Sequence, residues 1–226
     1  MHHTGLDHSG ISFQETTYVQ QESRIKKMEG MLWGTMMGPA GGFYAIRQSL
    51  FHPVPENFLV DDFFINMKVL ECGSWSICES LSIVTEDVSN SRMEEFRRKM
   101  RISAGNFQNL TMFAHLLLKV FRPTGFCFLS HKVLRWFGPF FLFLAFLASA
   151  INYEETFFMT LFYVQLILLI IPIFDHILRK IKIHIVILRF VSHFYNTNLA
   201  ILLGFLWFLK GIKTNVWQPT RRHQSQ

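Results

Sequence analysis

A chain of 226 residues that is 50% hydrophobic and 15% aromatic, with 25 Phe and charge on only 17% of positions, is too apolar for a disordered, collagenous or nucleic-acid-tail class. The mean hydropathy is +0.24, and the apolar residues concentrate after residue 132, so a soluble half and a membrane half share one chain. The formal charge of +6 and pI near 9.4 come largely from Lys and Arg beside the apolar runs, which selects anionic lipid or an anionic substrate as partner and not nucleic acid.

Residues 11–37 read as a helix from about Glu15, with Tyr18, Glu22, Ile25 and Glu29 on one side. By itself that side reads as a solvated face. Gly38-Pro39-Ala40-Gly41-Gly42 breaks the helix, and Phe43-Tyr44-Ala45-Ile46 reads as a short buried strand ending at Arg47. Pro53 and Pro55 mark a loop, after which Asp61 and Asp62 stand at the start of a helix running through Val69 and ending at Gly73. An adjacent Asp pair there has three readings: a helix cap, metal ligands, or a general base. Trp75 to Val84 suits one or two strands, and Glu86-Asp87 reads as a solvated turn that ends them.

Arg98 and Arg101 project from one side of the next helix, with Glu94 placed to pair with Arg98. The pair reads as a solvated or membrane-rim basic face, or as an anion clamp, since two guanidiniums can hold phosphate oxygens. Phe107, Leu110, Ala114, Leu117 and Phe121 gather one apolar face, giving a helix that lies on the bilayer or packs on the soluble part.

Trp136 to Tyr153 and Thr156 to Phe174 hold no charge and are separated only by Glu154 and Glu155, which predicts a spanning hairpin. Lys132 and Arg135 before it, and Arg179, Lys180 and Lys182 after it, place both hairpin ends in the cytosol and the acidic turn outside. Phe190 to Leu209 is long enough to cross, but Ser192, His193, Asn196, Thr197 and Asn198 lie in its first half. The expectation leans to a broken or re-entrant segment, with a full crossing as the alternative. Cys72, Cys78 and Cys127 are odd in number and lack ligand spacing, so neither a disulfide framework nor a zinc site is expected. The first thirty residues hold no basic segment followed by an apolar core, so no cleavable signal peptide is expected.

The order of these pieces resembles the C-terminal half of membrane-bound family 2 glycosyltransferases, the group of cellulose, chitin and hyaluronan synthases. The resemblance rests on Glu15-x-x-Tyr18-x-x-x-Glu22, Gly41-Gly42-Phe43-Tyr44-Ala45-Ile46-Arg47, Val60-Asp61-Asp62, Gly73, Arg98-x-x-Arg101-Ile102-x-x-Gly105 and the closing Trp217-Gln218-Pro219-Thr220-Arg221-Arg222. It covers about residues 11–222. It implies the C-terminal part of a GT-A-like (Rossmann-like) α/β domain, then an interfacial helix and 2–3 transmembrane helices. The implied division is 1–101 partial transferase domain, 102–131 interfacial helix and linker, and 132–226 transmembrane region.

The resemblance also implies an inverting transfer from a nucleoside diphosphate sugar to a hydroxyl of a glycan or lipid acceptor. Asp62, with Asp61 beside it, would be the base. Arg98 and Arg101 would contact the diphosphate side, and Gly41 and Gly42 would form an acceptor-side loop. Arg98 stands where the family motif has Gln, and Ile102 where it has Trp. The family's Asp-x-Asp, which holds a divalent cation (Mg or Mn), has no counterpart in this sequence. The expectation is therefore an acceptor-side and membrane half, inactive and metal-free by itself, in the cytoplasmic (inner or plasma) membrane with its soluble part cytosolic. The alternative is a non-catalytic membrane anchor or truncated remnant.

Overall fold

The computed structural model describes residues 2–4, 12–39, 43–79, 81–82, 85–87, 92–181, 183 and 185–215. In chain order these form β1 (His2–Thr4), α1 (Ser12–Trp33), α2 (Asp61–Glu71), β2 (Thr85–Asp87), α3 (Arg92–Phe113), α4 (Pro123–Cys127), a π-helical turn Phe128–Val133, α5 (Leu134–Trp136), α6 (Gly138–Ile151), α7 (Thr156–Lys180) and α8 (Val186–Leu209).

Helix α2 is the centre of the soluble part. Asp61 and Asp62 in its first turn and Lys68 in its last complement its dipole, and the Phe63 N–H donates to Asp62 Oδ1 at 2.7 Å. Phe63, Phe64, Ile65, Met67, Val69 and Leu70 are all buried, so the helix is covered nearly all round, as a core helix must be. Phe63 meets Trp136 and Phe128 at ring-centroid distances of 5.8 and 6.3 Å. The soluble core therefore reaches into the segment that immediately precedes the membrane hairpin.

Helices α3 and α8 pack side by side. Lys99 contacts His193 and Thr197, Ser103 Oγ donates to the Ile201 carbonyl at 2.9 Å, and the Phe107 ring lies 4.8 Å from that of Phe205. Residue numbers rise together in both helices, so the pair is parallel. Gly204 permits the approach: a Cβ there would sit 2.5 Å from the Met100 carbonyl oxygen and 2.5 Å from Ser103 Cβ.

Helices α6 and α7 form a hairpin closed by a Tyr153–Tyr163 hydroxyl contact of 2.6 Å and a Gln165 to Ser149 hydrogen bond of 3.0 Å. Their outer faces are apolar and exposed, as at Phe143, Leu144, Phe157, Ile167 and Ile170. Helices α7 and α8 are long and apolar enough to cross a membrane, and Pro123–Trp136 with Gly138–Ile151 would add a third span if that pair, bent by 61°, counts as one. Cys127, Phe128, Val133 and Trp136 of that pair belong to the same buried cluster as Phe63 and Phe64 of α2, against which Ile201 and Phe205 of α8 also pack.

Several expectations are corrected. The Rossmann-like α/β part is absent among the described residues, where the one sheet pairs His2–Thr4 with Thr85–Asp87 in parallel. Glu86-Asp87 is thus strand and not turn. Phe43, Tyr44 and Ala45 are exposed, so the short buried strand is not formed. Of Trp75 to Val84, the described residues contribute a single bridge, Ser76 to Thr35. Short apolar runs do not by periodicity distinguish strands from loops, and the one sheet among the described residues, of two three-residue strands, takes in neither run. The membrane half is corrected as well. The break lies before α6, at Phe137, whereas α8 is one unbroken helix. Of the polar residues expected to break it, His193 and Thr197 are reached by Lys99 of α3, and Asn198 donates to the Phe194 carbonyl one turn back in α8 itself.

Candidate functional site

Asp61 and Asp62 enter α2 from the loop 57–60, and α3 holds that loop from the other side. Arg101 Nη1 donates to the Leu59 carbonyl at 2.8 Å. Gln108 clasps the loop at both ends, accepting from the Leu59 N–H at 3.1 Å and donating to the Asn57 carbonyl at 2.9 Å. Asn109 Nδ2 donates to the Val60 carbonyl at 3.2 Å. Gly105 lies beneath, where a Cβ would come within 2.5 Å of Val60 Cγ2. Residues 42 to 51 positions apart in sequence are thereby fixed beside one another.

Asp61 is exposed and Asp62 is half-buried. Burial raises the Asp62 carboxyl above the ordinary carboxylate range and Asp61 adds to that, against the opposing effects of the Phe63 N–H, Lys26 and Arg101. Tyr44 faces the pair, and burial, then Asp61 and Asp62, push its phenol up. Burial pushes Lys26 down while Glu22 and Asp62 support its charge. Burial and the nearby Arg98 lower Arg101, while Asp62 and Asp61 oppose. Two carboxylates thus lie within electrostatic reach of a phenol and two cations drawn from α1, the loop after it, and α3, while Lys26 Nζ donates to the Pro39 carbonyl and Arg101 to the Leu59 carbonyl. Arg98 is further committed, forking onto Glu95 through Nε at 2.8 Å and Nη2 at 2.7 Å. An ionisable, partly desolvated carboxylate at a helix start beside cations is suited to accepting a proton from a hydroxyl.

The side of α1 expected to be solvated is instead an ion network. Glu22 accepts from Lys132 Nζ at 2.5 Å and Arg135 Nη1 at 2.6 Å, and contacts His131 Nε2 at 3.0 Å and Lys26 Nζ at 3.8 Å. His131 Nδ1 reaches Glu29 Oε1 at 2.7 Å, and the other Glu29 oxygen accepts the Met37 N–H at 3.1 Å. The Tyr18 ring lies 5.5 Å from the Arg135 guanidinium. The wide π-helical turn lets the consecutive His131 and Lys132 both face α1. Burial alone would raise the Glu22 carboxyl, but His131, Lys132, Arg135 and Lys26 together hold it well below its ordinary range. Burial, with Lys26 nearby, pushes Lys132 down to about 7. Lys26 sits between this network and Asp62, so the segment leading into the membrane is wired to the acid pair.

Sequence reasoning took Lys132 and Arg135 as topology charges and overlooked His131. The available signal was the Glu22–Glu29 spacing, which places two carboxylates on one face seven residues apart. Gly41 and Gly42 lie outside the described residues, as does the closing Trp217–Arg222 segment. No group of three or more His, Cys, Asp or Glu that could hold a metal occurs among the described residues. Cys127 is buried, its thiol raised by that burial and 3.4 Å from Thr35 Oγ1, which marks an inert thiol. Comparison with protein-family models, with curated proteins and with solved structures gives no match.

Proposed function

We propose that this chain is the acceptor-side and membrane portion of a membrane-bound inverting glycosyltransferase. The observation that carries the reading is the convergence of Asp61–Asp62 with Arg101 and Lys26, held by hydrogen bonds from α3 to the loop before α2. Asp62 takes the proton of the acceptor hydroxyl as its oxygen bonds to the anomeric carbon, and the bond to the nucleoside diphosphate breaks with its electron pair. Arg101 offsets charge on the leaving diphosphate. Donor binding and a divalent cation come from a separate donor-binding part. The acceptor is a glycan or lipid hydroxyl.

The hairpin α6–α7 holds this site at the bilayer surface. Lys132, Arg135, Arg179 and Lys180 lie at the hairpin's ends and Glu154 and Glu155 at its turn, which supports a cytosolic soluble part in the cytoplasmic membrane.

The test is to tag the chain, isolate it with its native partners from membranes, and assay transfer from uridine and guanosine diphosphate sugars. Asp62→Asn should lower the rate by about 10²- to 10⁴-fold with the assembly intact. No transfer by the intact assembly, or transfer undiminished by the substitution, refutes the reading and leaves a membrane anchor, which the ion network and the α3–α8 packing also support.

A further inference from the structure

Helix α8 has the length and apolarity of a spanning segment, yet the structure holds both of its ends on one side of the hairpin α6–α7. Its first residue, Val186, follows Lys180 of α7 by six positions. That link reaches at most about 20 Å, less than a hydrocarbon thickness of about 30 Å, so α8 starts where the hairpin ends. Near its other end, Phe208 stacks on Phe107 of α3 with ring centroids 6.1 Å apart and lines one open pocket with Phe58, Gln108 and Met112. Phe58 lies in the loop that enters α2, and Phe63 of α2 meets Trp136 just before α6. The far end of α8 is thus held at the part of the molecule from which the hairpin departs.

The helix that accompanies α8 agrees. Lys99, Ser103 and Phe107 of α3 meet His193, Ile201 and Phe205 in turn. Seven of the ten residues from Arg92 to Arg101 are charged, and Arg101, Gln108 and Asn109 are hydrogen-bonded to the backbone of Leu59 and Val60. An α8 that crossed would draw these charges and this irregular loop into hydrocarbon, which excludes both. Instead α8 meets α6 at its first turn: Phe205 lies 5.1 Å from Phe140, and Asn198 Oδ1 is 2.9 Å from where a Cβ on Gly138 would stand. The hairpin enters the bilayer there, since Phe141, Phe143 and Leu144 are exposed directly afterwards. Leu199, Leu202, Leu206 and Leu209 recur at spacings of three and four on the side of α8 opposite Thr197, Ile201, Gly204 and Phe208, which face α3. Leu199, Leu206 and Leu209 are exposed.

We propose that α8 does not cross the membrane but lies in its plane, with the stripe Leu199, Leu202, Leu206 and Leu209 seated at the boundary of headgroups and acyl chains. The occupant of this face is the leaflet that the hairpin enters, because α8 runs at the level of the first turn of α6. Helix α3 covers the back of α8 and carries the charges on the side away from lipid. An apolar stripe under a polar back is the form of a helix that rests on a bilayer.

Spin labels placed singly at Leu199, Leu206 and Leu209 of the full chain, in liposomes of phosphatidylcholine and phosphatidylglycerol, report depth through collision with oxygen and with a nickel chelate. All three should sit at one shallow depth, about 5–10 Å into the boundary. A crossing helix separates Leu199 from Leu209 by roughly 15 Å at about 1.5 Å per residue, and depths that differ by that much overturn the proposal. Preference for the nickel chelate at all three positions overturns lipid as the occupant, and shielding from both reagents overturns it in favour of a protein surface. A second measurement leaves α8 itself unaltered. In a chain lacking the native cysteines, a cysteine at Asn215, exposed beyond the end of α8, should respond to an impermeant thiol reagent in intact cells as one at Lys180 does, and opposite to one at Asn152. A response at 215 that matches 152 overturns the proposal, whatever the labels on the stripe do to folding.

Discussion

Replacing Glu22 by Gln should be among the most destabilising single changes in the soluble part. The side chain is 13% exposed and Lys132, its closest partner, 6%. Removing the carboxylate leaves Lys26, Lys132 and Arg135 facing one another across the space it occupied. Breaking a buried pair from one side costs about 3–5 kcal/mol, a large share of a total of about 5–15 kcal/mol. The half-exposed Arg135 contributes least to that loss. Unfolding in mixed detergent micelles can be followed through Trp136, which is buried beside Phe128 at 5.9 Å. Lys132→Met combined with Glu22→Gln should recover part of the loss, since an apolar replacement of a buried pair is often neutral. A loss below about 1 kcal/mol in Glu22→Gln would refute the reasoning, because that is the range of solvated pairs. The pH dependence has a definite sign. Glu22 is depressed when folded, so its contribution is present above the ordinary value of 4.5 and is lost as pH falls below it. Lys132 is lowered from 10.5 to about 7, so the unfolded chain binds more protons between those values and stability rises with pH across them. That rise should vanish in Lys132→Met.

Gly204→Ala should destabilise the chain by about 1–3 kcal/mol, read in the same unfolding assay, because a Cβ 2.5 Å from Met100 O and Ser103 Cβ forces α3 and α8 apart. Asp62 is raised when folded, so parent stability should fall as pH rises through its folded value, above the ordinary 3.8. Thermal unfolding of Asp62→Asn at pH 4 and pH 7 should show that fall abolished, with the Phe63 N–H still capped by the amide oxygen. Single cysteines at Asn152, Lys180 and Gln224, in a chain lacking the native three, should be labelled by an impermeant thiol reagent in intact cells at 152 and not at 180. Labelling at 180 would invert the orientation, and labelling at 224 reports whether α8 crosses.

Elements whose cues are local were legible. The acid pair, the apolar run and the glycine at Gly73 delimited α2, and the charge-free stretch from Thr156 identified α7. What depended on distant partners was not. The Glu22 side of α1 looks solvated until residues 131–135 are brought against it, more than a hundred positions later. The polar first half of α8 looks like a break until Lys99 of α3 reaches His193 and Thr197. Periodicity reports how apolar a face is and not what covers it. For the candidate site, the sequence supplied Asp61, Asp62 and Arg101 through the resemblance and Tyr44 as part of the stretch Gly41 to Arg47 without a role, but Lys26 carries no local signal and enters only through the fold.

The parallel embrace of α3 and α8 also dictates a sequence of events at the ribosome. Ser103 and Phe107 are synthesised nearly a hundred residues before the Ile201 carbonyl and the Phe205 ring that cover them. Closing a loop of that length is entropically slow, and α6 and α7 emerge meanwhile with their apolar faces exposed. Nascent chains stalled between residues 181 and 186 would therefore present α3 unshielded, and that is the stage at which an insertion factor or chaperone has most surface to hold.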